Sequence, residues 1–359
     1  MPETNRPTFH RPADFPAAAQ ALGSSPLVVF HNDADGLSAG AILLKTLERQ
    51  GMTPAMRIIG KGENAYTPDF VAELKRRKPS GLIIADLGVS NRVALPDIPT
   101  ILIDHHSPTG VPDHATVISG FADDPIPTSS LLAYRCAQAV KAEDGLLWLA
   151  ALGIIGDLAE DSGFAEMAEA RTAYGITALR KAASLINAPR RSATGDATPA
   201  LQLLLKTSGP KEVLSGEHGE TDQLLQAKAE VKQALDDARK VAPKFAGDVA
   251  LILFYSPCQV HPLIAQQWRT RLKNSSIIIA ANTGYRPGWV HFAARSAQDA
   301  DILAFLASVR PPNADEQYGN GHRAASGGAL RTDDWNTFIR TLGFDQSLEV
   351  PADTTSETA

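Results

Sequence analysis

Short runs of β-branched and aliphatic residues alternate with helix-like segments along the first 120 residues. Candidate strands cover residues 26–31, 55–60, 81–88, 100–106 and 115–120. Apolar positions at helical spacing over residues 37–50 and 67–77 separate the first three of these strands. Strands that are joined in this way, through right-handed crossovers, form a mainly parallel sheet with helices on both faces. The pattern therefore predicts an α/β domain.

The remaining pattern predicts a helical region and then a second α/β domain. Residues 128–187 have helical spacing throughout, and residues 221–240 form a polar segment with opposite charges at helical spacing. Candidate strands at 248–256, 276–282 and 289–295 then alternate with helices at 261–273 and 299–309. We predict a flexible tail over residues 1–22, a main α/β domain over 23–190, a helical connector over 191–243, a smaller C-terminal α/β domain over 244–343, a flexible tail over 344–359, and an active-site cleft between the two domains.

The composition and charge of the chain mainly exclude classes of protein and of binding site. The formal net charge is −6, so the chain as a whole does not attract nucleic acid or an anionic membrane, and a polyanionic substrate needs local cations or metal. Cys136 and Cys258 form no CxxC pair, which argues against a disulfide framework and against a cysteine-ligated zinc site. The longest apolar run, residues 145–156, is too short to span a bilayer. We expect a cytoplasmic protein without a membrane partner.

Histidine and aspartate residues follow three of the predicted strands at the point where each strand ends. Ligands of parallel α/β sheets bind outside the carboxyl ends of the strands, so we expect these side chains to share one crevice. They are His31, Asp33 and Asp35 after the first strand, Asp86 in the third, and Asp104, His105 and His106 at the end of the fourth.

Such a cluster without arginine or lysine needs positive charge from elsewhere. Oxygen and imidazole donors without thiolate suit Mn²⁺, Mg²⁺, Fe²⁺ or Zn²⁺. Because there are more than four donors, a pair of ions at about 3.5–4 Å that shares a carboxylate is the natural arrangement. The pattern therefore favours a centre for two divalent ions.

Each group taken alone also fits an ordinary structural role. Asp33 and Asp35 suit a turn and helix N-cap, Asp86 suits a strand-ending turn, and one of the paired histidines could be a hydrogen-bonded core residue. The coincidence of these residues at three strand ends is what favours the metal site.

Four segments in order, HNDADG, IADLG, IDHHSP and GIIGDLAED, resemble the motifs of the DHH phosphoesterase family. That family includes RecJ-type single-strand exonucleases, nano-RNases, cyclic dinucleotide phosphodiesterases and manganese pyrophosphatases. The resemblance covers roughly residues 26–340 and makes residues 23–190 the DHH catalytic domain. It implies that two divalent ions assist the hydrolysis of phosphorus–oxygen bonds. We expect these ions to be Mn²⁺, with Mg²⁺ as the alternative.

The resemblance also implies roles for individual residues. Asp104 would orient His105, and His106 would face the substrate phosphate. The spacing from His31 to Asp33 is shorter than in many relatives, so His31 departs from the family pattern. The implied metal ligands are His31, Asp33 and Asp86 for one ion, and Asp35, Asp86, His105 and Asp157 for the other, with Asp86 bridging.

The second domain carries further motifs. The segments HFAARS and QYGNGHRAASGGAL resemble the substrate-gripping motifs of the DHH-associated C-terminal domain, with Asn320 where many relatives have glycine. The resemblance implies substrate binding by Arg295, Ser296, Gly321, His322 and Arg323. Four aromatic residues lie near these motifs, and one of them could stack on a base, although each alone is better explained by packing at a strand end: Tyr255, Tyr285, Trp289 and Tyr318.

We therefore expect a phosphodiesterase or exonuclease that cuts terminal phosphodiester bonds of short or single-stranded nucleic acid. Little chain follows the second domain, which leads us to expect short oligonucleotides over long DNA. A 3′-phosphoadenosine-5′-phosphate phosphatase and a cyclic dinucleotide phosphodiesterase remain alternatives, as does a non-catalytic nucleotide-binding regulator. The sequence leaves open whether the protein is a homodimer.

Overall fold

The computed structural model describes residues 9–92, 94–272, 274–315, 318–319 and 321–351. Their contacts divide them into two compact units. The first contains the described residues up to Arg190 together with Asp196–Gln226, and the second contains Arg191–Gly195 and the described residues from Ala227 onward.

The first unit is built on a parallel sheet in the order β2-β1-β3-β4-β5. Val28 and Phe30 of β1 belong to one hydrophobic cluster, whereas Leu27 and Val29 belong to another. Both faces of the strand are therefore covered, which explains why it reads as a continuous apolar run. The strands are β1 (Leu27–Phe30), β2 (Ala55–Ile58), β3 (Leu82–Ala85), β4 (Thr100–Asp104) and β5 (Thr116–Ser119).

Helices complete the first unit. Helix α5 is apolar on all sides and almost wholly buried, as its sequence LWLAALGIIG requires. Short 3₁₀ turns lie at Pro12–Asp14 and Pro189–Arg191. The helices are α1 (Phe15–Gln20), α2 (Ala34–Arg49), α3 (Pro68–Arg77), α4 (Ser129–Ala139), α5 (Leu147–Gly156), α6 (Ala165–Tyr174), α7 (Ile176–Ile186), α8 (Thr198–Lys206), α9 (Pro210–Val213) and the beginning of α10 (Gly219–Ala238).

The second unit is built on a mixed sheet in the order β10-β11-β9-β8-β7-β6. Strands β7 and β8 are parallel, and the other neighbouring pairs are antiparallel. Phe292, Trp335 and Phe338 pack together in its core. Its elements after α10 are β6 (Lys244–Ala246), β7 (Val249–Phe254), α11 (His261–Arg269), β8 (Ile277–Arg286), β9 (Trp289–Ser296), α12 (Ile302–Ser308), β10 (Gly321–His322), β11 (Ala325–Arg331), α13 (Thr332–Thr341) and a 3₁₀ turn at Gln346–Leu348.

The predicted fold class is confirmed: a parallel sheet covered by helices is followed by a second unit with a mixed sheet. The details differ in places. Residues 12–22 of the predicted flexible tail form helical turns, and Phe15 and Leu22 are buried in the core. Part of the segment QYGNGHRAASGGAL is strand β11, in which Gly327 and Gly328 pair with β9. Residues 1–8, 352–359 and Asn320, on which other predictions fell, lie outside the described residues.

The residues predicted as a connector, 191–243, are divided between the two units, since residues 196–226 pack with the first and residues 227–243 with the second. Among the described helices, none is long and apolar enough to cross a membrane.

Candidate metal centre

The carboxyl ends of β1, β3 and β4 bring the predicted donors of the first unit together. His31 directly follows β1, Asp86 follows β3, His105 follows β4, and Asp157 is the C-cap of α5. In each of three overlapping groups, one donor atom per residue lies within 4.8 Å of the others. The groups are His31, Asp33 and Asp86; Asp35, His105 and Asp157; and Asp86, His105 and His106.

Asp86 lies at the centre of this arrangement. Its Oδ2 is 3.5 Å from Nδ1 of His31, and its Oδ1 is 3.5 Å from Nε2 of His105. The residue is buried and has a left-handed φ of 62°, a conformation that a non-glycine residue adopts at a cost and that is frequent at functional sites. Ser129 fixes the carboxylate by donating its hydroxyl to Oδ1 at 3.0 Å. Asp86 therefore belongs to two of the three donor groups.

Asp35 is fully buried, and the N-terminus of α4 holds it. The backbone N–H groups of Ser129 and Ser130 donate to its two carboxylate oxygens at 2.8 and 3.0 Å. These are two of the amides that a helix leaves without internal partners, and they lie at the positive end of the helix dipole. Gly153 of α5 is needed beside them, because a Cβ there would lie 2.3 Å from Oδ1 of Asp35 and 2.0 Å from the hydroxyl of Ser130.

Asp33 caps a helix and also lies beside His31. Its Oδ1 caps α2 by accepting the N–H of Gly36 at 3.0 Å, and its Oδ2 lies 3.0 Å from Nδ1 of His31. The same Oδ2 accepts a bond of 2.5 Å from Nη1 of Arg190, while the buried Nε of that arginine has no hydrogen-bond partner among the described residues. The sequence analysis did not connect Arg190 to the site. No local motif indicates this contact, because 157 positions separate the two residues.

The electrostatics of the centre show an excess of negative charge. Burial and the neighbouring charges of Asp86 and Asp157 raise the pKa of Asp35 well above its usual value. Burial, Asp86 and Asp33 raise the pKa of Asp157 to about 6. Burial alone would lower the pKa of His105, but the close carboxylates of Asp86, Asp35 and Asp157 outweigh burial and raise the pKa to about 9. Asp35 and Asp157 thus bind protons more tightly than free aspartates do, and a bound cation would oppose both shifts.

The donors fit a divalent cation. Nε2 of His105 is buried and lies 3.2 Å from Oδ2 of Asp157, yet it makes no hydrogen bond of acceptable geometry within the described part of the chain. A buried polar atom without a partner is costly, and a bound cation would supply one. Imidazole nitrogen and carboxylate oxygen are donors that Mn²⁺ accepts, and the carboxylates also suit Mg²⁺.

Asp104 contacts His106, so the expectation that it orients His105 is wrong. Its Oδ1 accepts the backbone N–H of His106 at 2.7 Å and lies 2.9 Å from Nδ1 of the same residue, while Oδ2 accepts the N–H of Gly88 at 2.7 Å. An aspartate at the end of a strand readily accepts the N–H two residues further on, which directs the aspartate to residue 106. The imidazole of His106 is 54% exposed, and the hydrogen bond that it donates to Asp104 raises its pKa against the effect of burial.

Solved structures share this fold, although no protein-family model and no curated protein matches the sequence. The crystal structure of exonuclease RecJ bound to manganese matches with a TM-score of 0.66 and 20% identity, over 96% of this chain and 96% of that chain. The DHH domain of PF0399, a member of the s1p family of ribosomal proteins, matches with a TM-score of 0.64 and 16% identity, over 92% and 90% of the two chains. The chain has a DHH-family fold.

The match to RecJ of Thermus thermophilus in complex with Mn²⁺ is similar in quality, with a TM-score of 0.67 and 20% identity over 95% of this chain. It covers only 55% of that chain, so the protein spans about half the length of this relative. At these identities the likeness establishes the DHH-family fold alone.

The second unit of this DHH-family fold brings its predicted substrate-binding residues together. They lie where the hairpin of β10 and β11 meets the end of β9: His322 pairs with Ala325, which in turn pairs with Arg295. Nη1 of Arg295 donates to the carbonyl oxygens of Ala294 and Ser326 at 2.9 and 3.3 Å. The described contacts give the buried hydroxyl of Ser296 no hydrogen-bond partner. Gly321 begins β10, and the exposed Arg323 lies 3.9 Å from Asp301.

Proposed function

We propose that this protein is a divalent-metal-dependent phosphodiesterase that cuts terminal phosphodiester bonds of short or single-stranded nucleic acid. The observation that carries the proposal is the set of three overlapping donor groups around buried Asp86, with Nε2 of His105 left without a hydrogen-bond partner in the described chain. The fold that the chain shares with manganese-bound RecJ supports the same interpretation.

We assign two ions to the centre. One would be held by His31, Asp33 and Asp86, and the other by Asp35, Asp86, His105 and Asp157. Mn²⁺ is the first expectation because the donor set mixes imidazole and carboxylate. When bound, such ions supply Lewis-acid polarisation of a phosphoryl oxygen and a nucleophile derived from water.

His106 and Arg190 would act on the substrate, and Asp104 would position His106. Asp104 holds Nδ1 of His106 and favours the protonated imidazole, so the exposed ring can stabilise phosphoryl charge or give a proton to the leaving oxygen. Arg190 is the cation nearest to Asp33, and its unpartnered Nε can donate to a phosphate oxygen.

In the second unit, we propose that Arg295, Ser296, Gly321, His322 and Arg323 bind a phosphate or sugar of the substrate. The glycine at the start of β10, the guanidinium of Arg295 and the unpartnered hydroxyl of Ser296 provide the types of donor that phosphate recognition uses.

The test is hydrolysis by protein freed of metal and then supplied with Mn²⁺, Mg²⁺ or Ca²⁺. The substrates are end-labelled dinucleotides, longer single strands, cyclic dinucleotides and 3′-phosphoadenosine-5′-phosphate. We expect activity to vanish with chelator, to return with Mn²⁺ better than with Ca²⁺, which tolerates looser geometry, and to be highest on short linear substrates. His105→Asn should abolish it, whereas the matched control His218→Asn, which changes a histidine paired with Glu212, should not.

Full activity after metal removal that elemental analysis verifies would overturn the proposal. If the protein prefers a cyclic dinucleotide or 3′-phosphoadenosine-5′-phosphate, the proposed metal chemistry stands but the proposed substrate is wrong. Binding of metal and nucleotide without hydrolysis of any substrate would identify a non-catalytic regulator.

A further inference from the structure

Of the four aromatic residues near the second-unit motifs, Tyr255 alone presents most of its ring to solvent. It is 78% exposed, whereas Tyr285 and Tyr318 are 6% and 3% exposed. The ring of Trp289 is only partly exposed and is flanked by two arginine guanidinium groups at 5.1 and 4.4 Å. Packing therefore explains three of these side chains but not Tyr255.

Tyr255 stands directly after β7, and its ring rests on the backbone of the neighbouring parallel strand β8. A Cβ added at Gly284 would lie 2.9 Å from two carbon atoms of the tyrosine ring and 2.8 Å from the backbone N of Ser256. Only glycine leaves room for this contact. One part of the ring is thus supported by main chain, and the rest is free to meet a ligand.

A buried asparagine holds the segment that carries this ring. Asn282 is fully buried; its Oδ1 accepts the N–H of Ser256 at 2.9 Å and that of Gly284 at 3.0 Å, and its Nδ2 donates to the carbonyl of Cys258 at 2.9 Å. The three bonds tie the main chain that follows the tyrosine to the strand on which its ring rests. A side chain on such a braced segment loses little conformational freedom when it binds a ligand.

The same loop leads to a group of cations. It ends at His261, the buried first residue of α11, whose Nδ1 has no hydrogen-bond partner in the described chain. Burial and the charges of His291, Arg191 and Arg295 lower the pKa of His261 well below its usual value. Arg191 is tied to the loop, since its carbonyl accepts the N–H of Gln259 at 2.8 Å. The loop that begins at the aromatic ring therefore ends near the guanidinium groups of two other segments.

We propose that Tyr255 stacks on a nucleobase of the substrate and that residues 255–261 form a nucleotide-binding segment of the second unit. The inference rests on the proposed function and adds to it a contact with a base, in addition to contacts with phosphate. Isolated exposed aromatic residues are common on protein surfaces. The glycine beneath the ring, the asparagine brace and the neighbouring arginines distinguish this one.

The experiment compares Tyr255→Ala and Tyr255→Phe with the matched control Phe245→Ala, which removes an aromatic ring that is 58% exposed in β6 of the same unit. For each variant, the equilibrium Kd is measured for two ligands: a non-hydrolysable dinucleotide analogue, and the same analogue without one of its bases. We expect Tyr255→Ala to weaken dinucleotide binding about tenfold, the scale of one base–aromatic stack, and Tyr255→Phe to retain it within about twofold. The loss should shrink to about twofold or less on the analogue that lacks the stacked base, and Phe245→Ala should have no effect.

Equal losses on both analogues, no loss in Tyr255→Ala, or no binding of the dinucleotide by the unmodified protein would overturn the inference. Its failure can be distinguished from that of the proposed function. If the protein hydrolyses the natural dinucleotide equally well without Tyr255, the stacking contact is rejected and the proposed phosphodiesterase activity is retained. Binding that depends on Tyr255 without hydrolysis would support the stacking contact and count against the enzyme.

Discussion

Replacing Ser129 by alanine tests whether helix α4 positions the central carboxylate of the metal centre. The hydroxyl of Ser129 is fully buried and donates to Oδ1 of Asp86 at 3.0 Å. A hydrogen bond to a charged group contributes roughly 1.5–3 kcal/mol. If about 2 kcal/mol of this is lost from the metal-bound state, affinity falls roughly thirtyfold, within the tenfold to hundredfold effect usual for groups that orient metal ligands.

A buried hydroxyl outside the donor groups provides the control. Thr46 of α2 is also fully buried, and its Oγ1 donates to the carbonyl of Ile42 in the same helix at 2.7 Å. Both alanine variants lose a buried hydroxyl and some thermal stability. We expect Ser129→Ala alone to lose Mn²⁺ affinity, measured by calorimetry and by chelator competition, and to recover most of its kcat at saturating Mn²⁺. Equal affinity losses in the two variants, or none in Ser129→Ala, would refute this role for Ser129.

Three further predictions concern metal, protons and substrate. Asp86→Asn should lose more bound metal and more activity than His31→Ala, because Asp86 belongs to two donor groups. Elemental analysis measures the metal content, and comparable losses of the two variants at saturating Mn²⁺ would contradict a bridging role. The pKa values of His31 and His105 are raised to about 10 and 9, so metal binding near pH 7 should release roughly one to two protons, which calorimetry in buffers of different ionisation enthalpy detects. In the presence of chelator, the protonated rings contribute stability that is fully present below their unfolded-state pKa of about 6.5 and is lost as the pH rises towards 9 and 10. The Tm of the metal-free protein should therefore fall over that pH range. A Tm that does not change with pH would argue against protonated rings. Arg295→Ala should keep its metal but lose about a hundredfold in kcat/KM on a dinucleotide, and less on bis-p-nitrophenyl phosphate, whereas equal losses on both would indicate a structural role.

The strands and the location of the centre could be predicted because both depend on local sequence. A strand buried on both faces reads as an uninterrupted apolar run, which places β1, β3 and β4 within a few residues of their observed bounds. Parallel strands then bring their carboxyl ends to one edge, so residues that are 70 or more positions apart, such as His31 and His105, meet without any long-range signal.

The elements and contacts that were missed depend on tertiary structure. Strands β10 and β11 are rich in glycine, but β10 pairs with β11 and β11 pairs with β9, and this pairing outweighs their poor intrinsic preference for strand. Helix α1 is short, and tertiary burial of Phe15 stabilises it. The contacts of Arg190 with Asp33 and of Ser129 with Asp86 join distant positions, and neither residue belongs to a motif.

Those missed contacts decide where the centre lacks positive charge. Burial favours a raised pKa for Asp33, but His31 and Arg190 outweigh it and hold the pKa well below its usual value, and His106 does the same for Asp104. Asp35 and Asp157 have raised pKa values instead, and neither accepts a bond from an arginine or lysine among the contacts described here. The group of Asp35, His105 and Asp157 therefore has no arginine or lysine partner among the described contacts, and it also contains the histidine nitrogen without a hydrogen-bond partner. Arg190 thus pairs with Asp33, whereas Asp35 and Asp157 are the carboxylates that we expect a metal ion to neutralise.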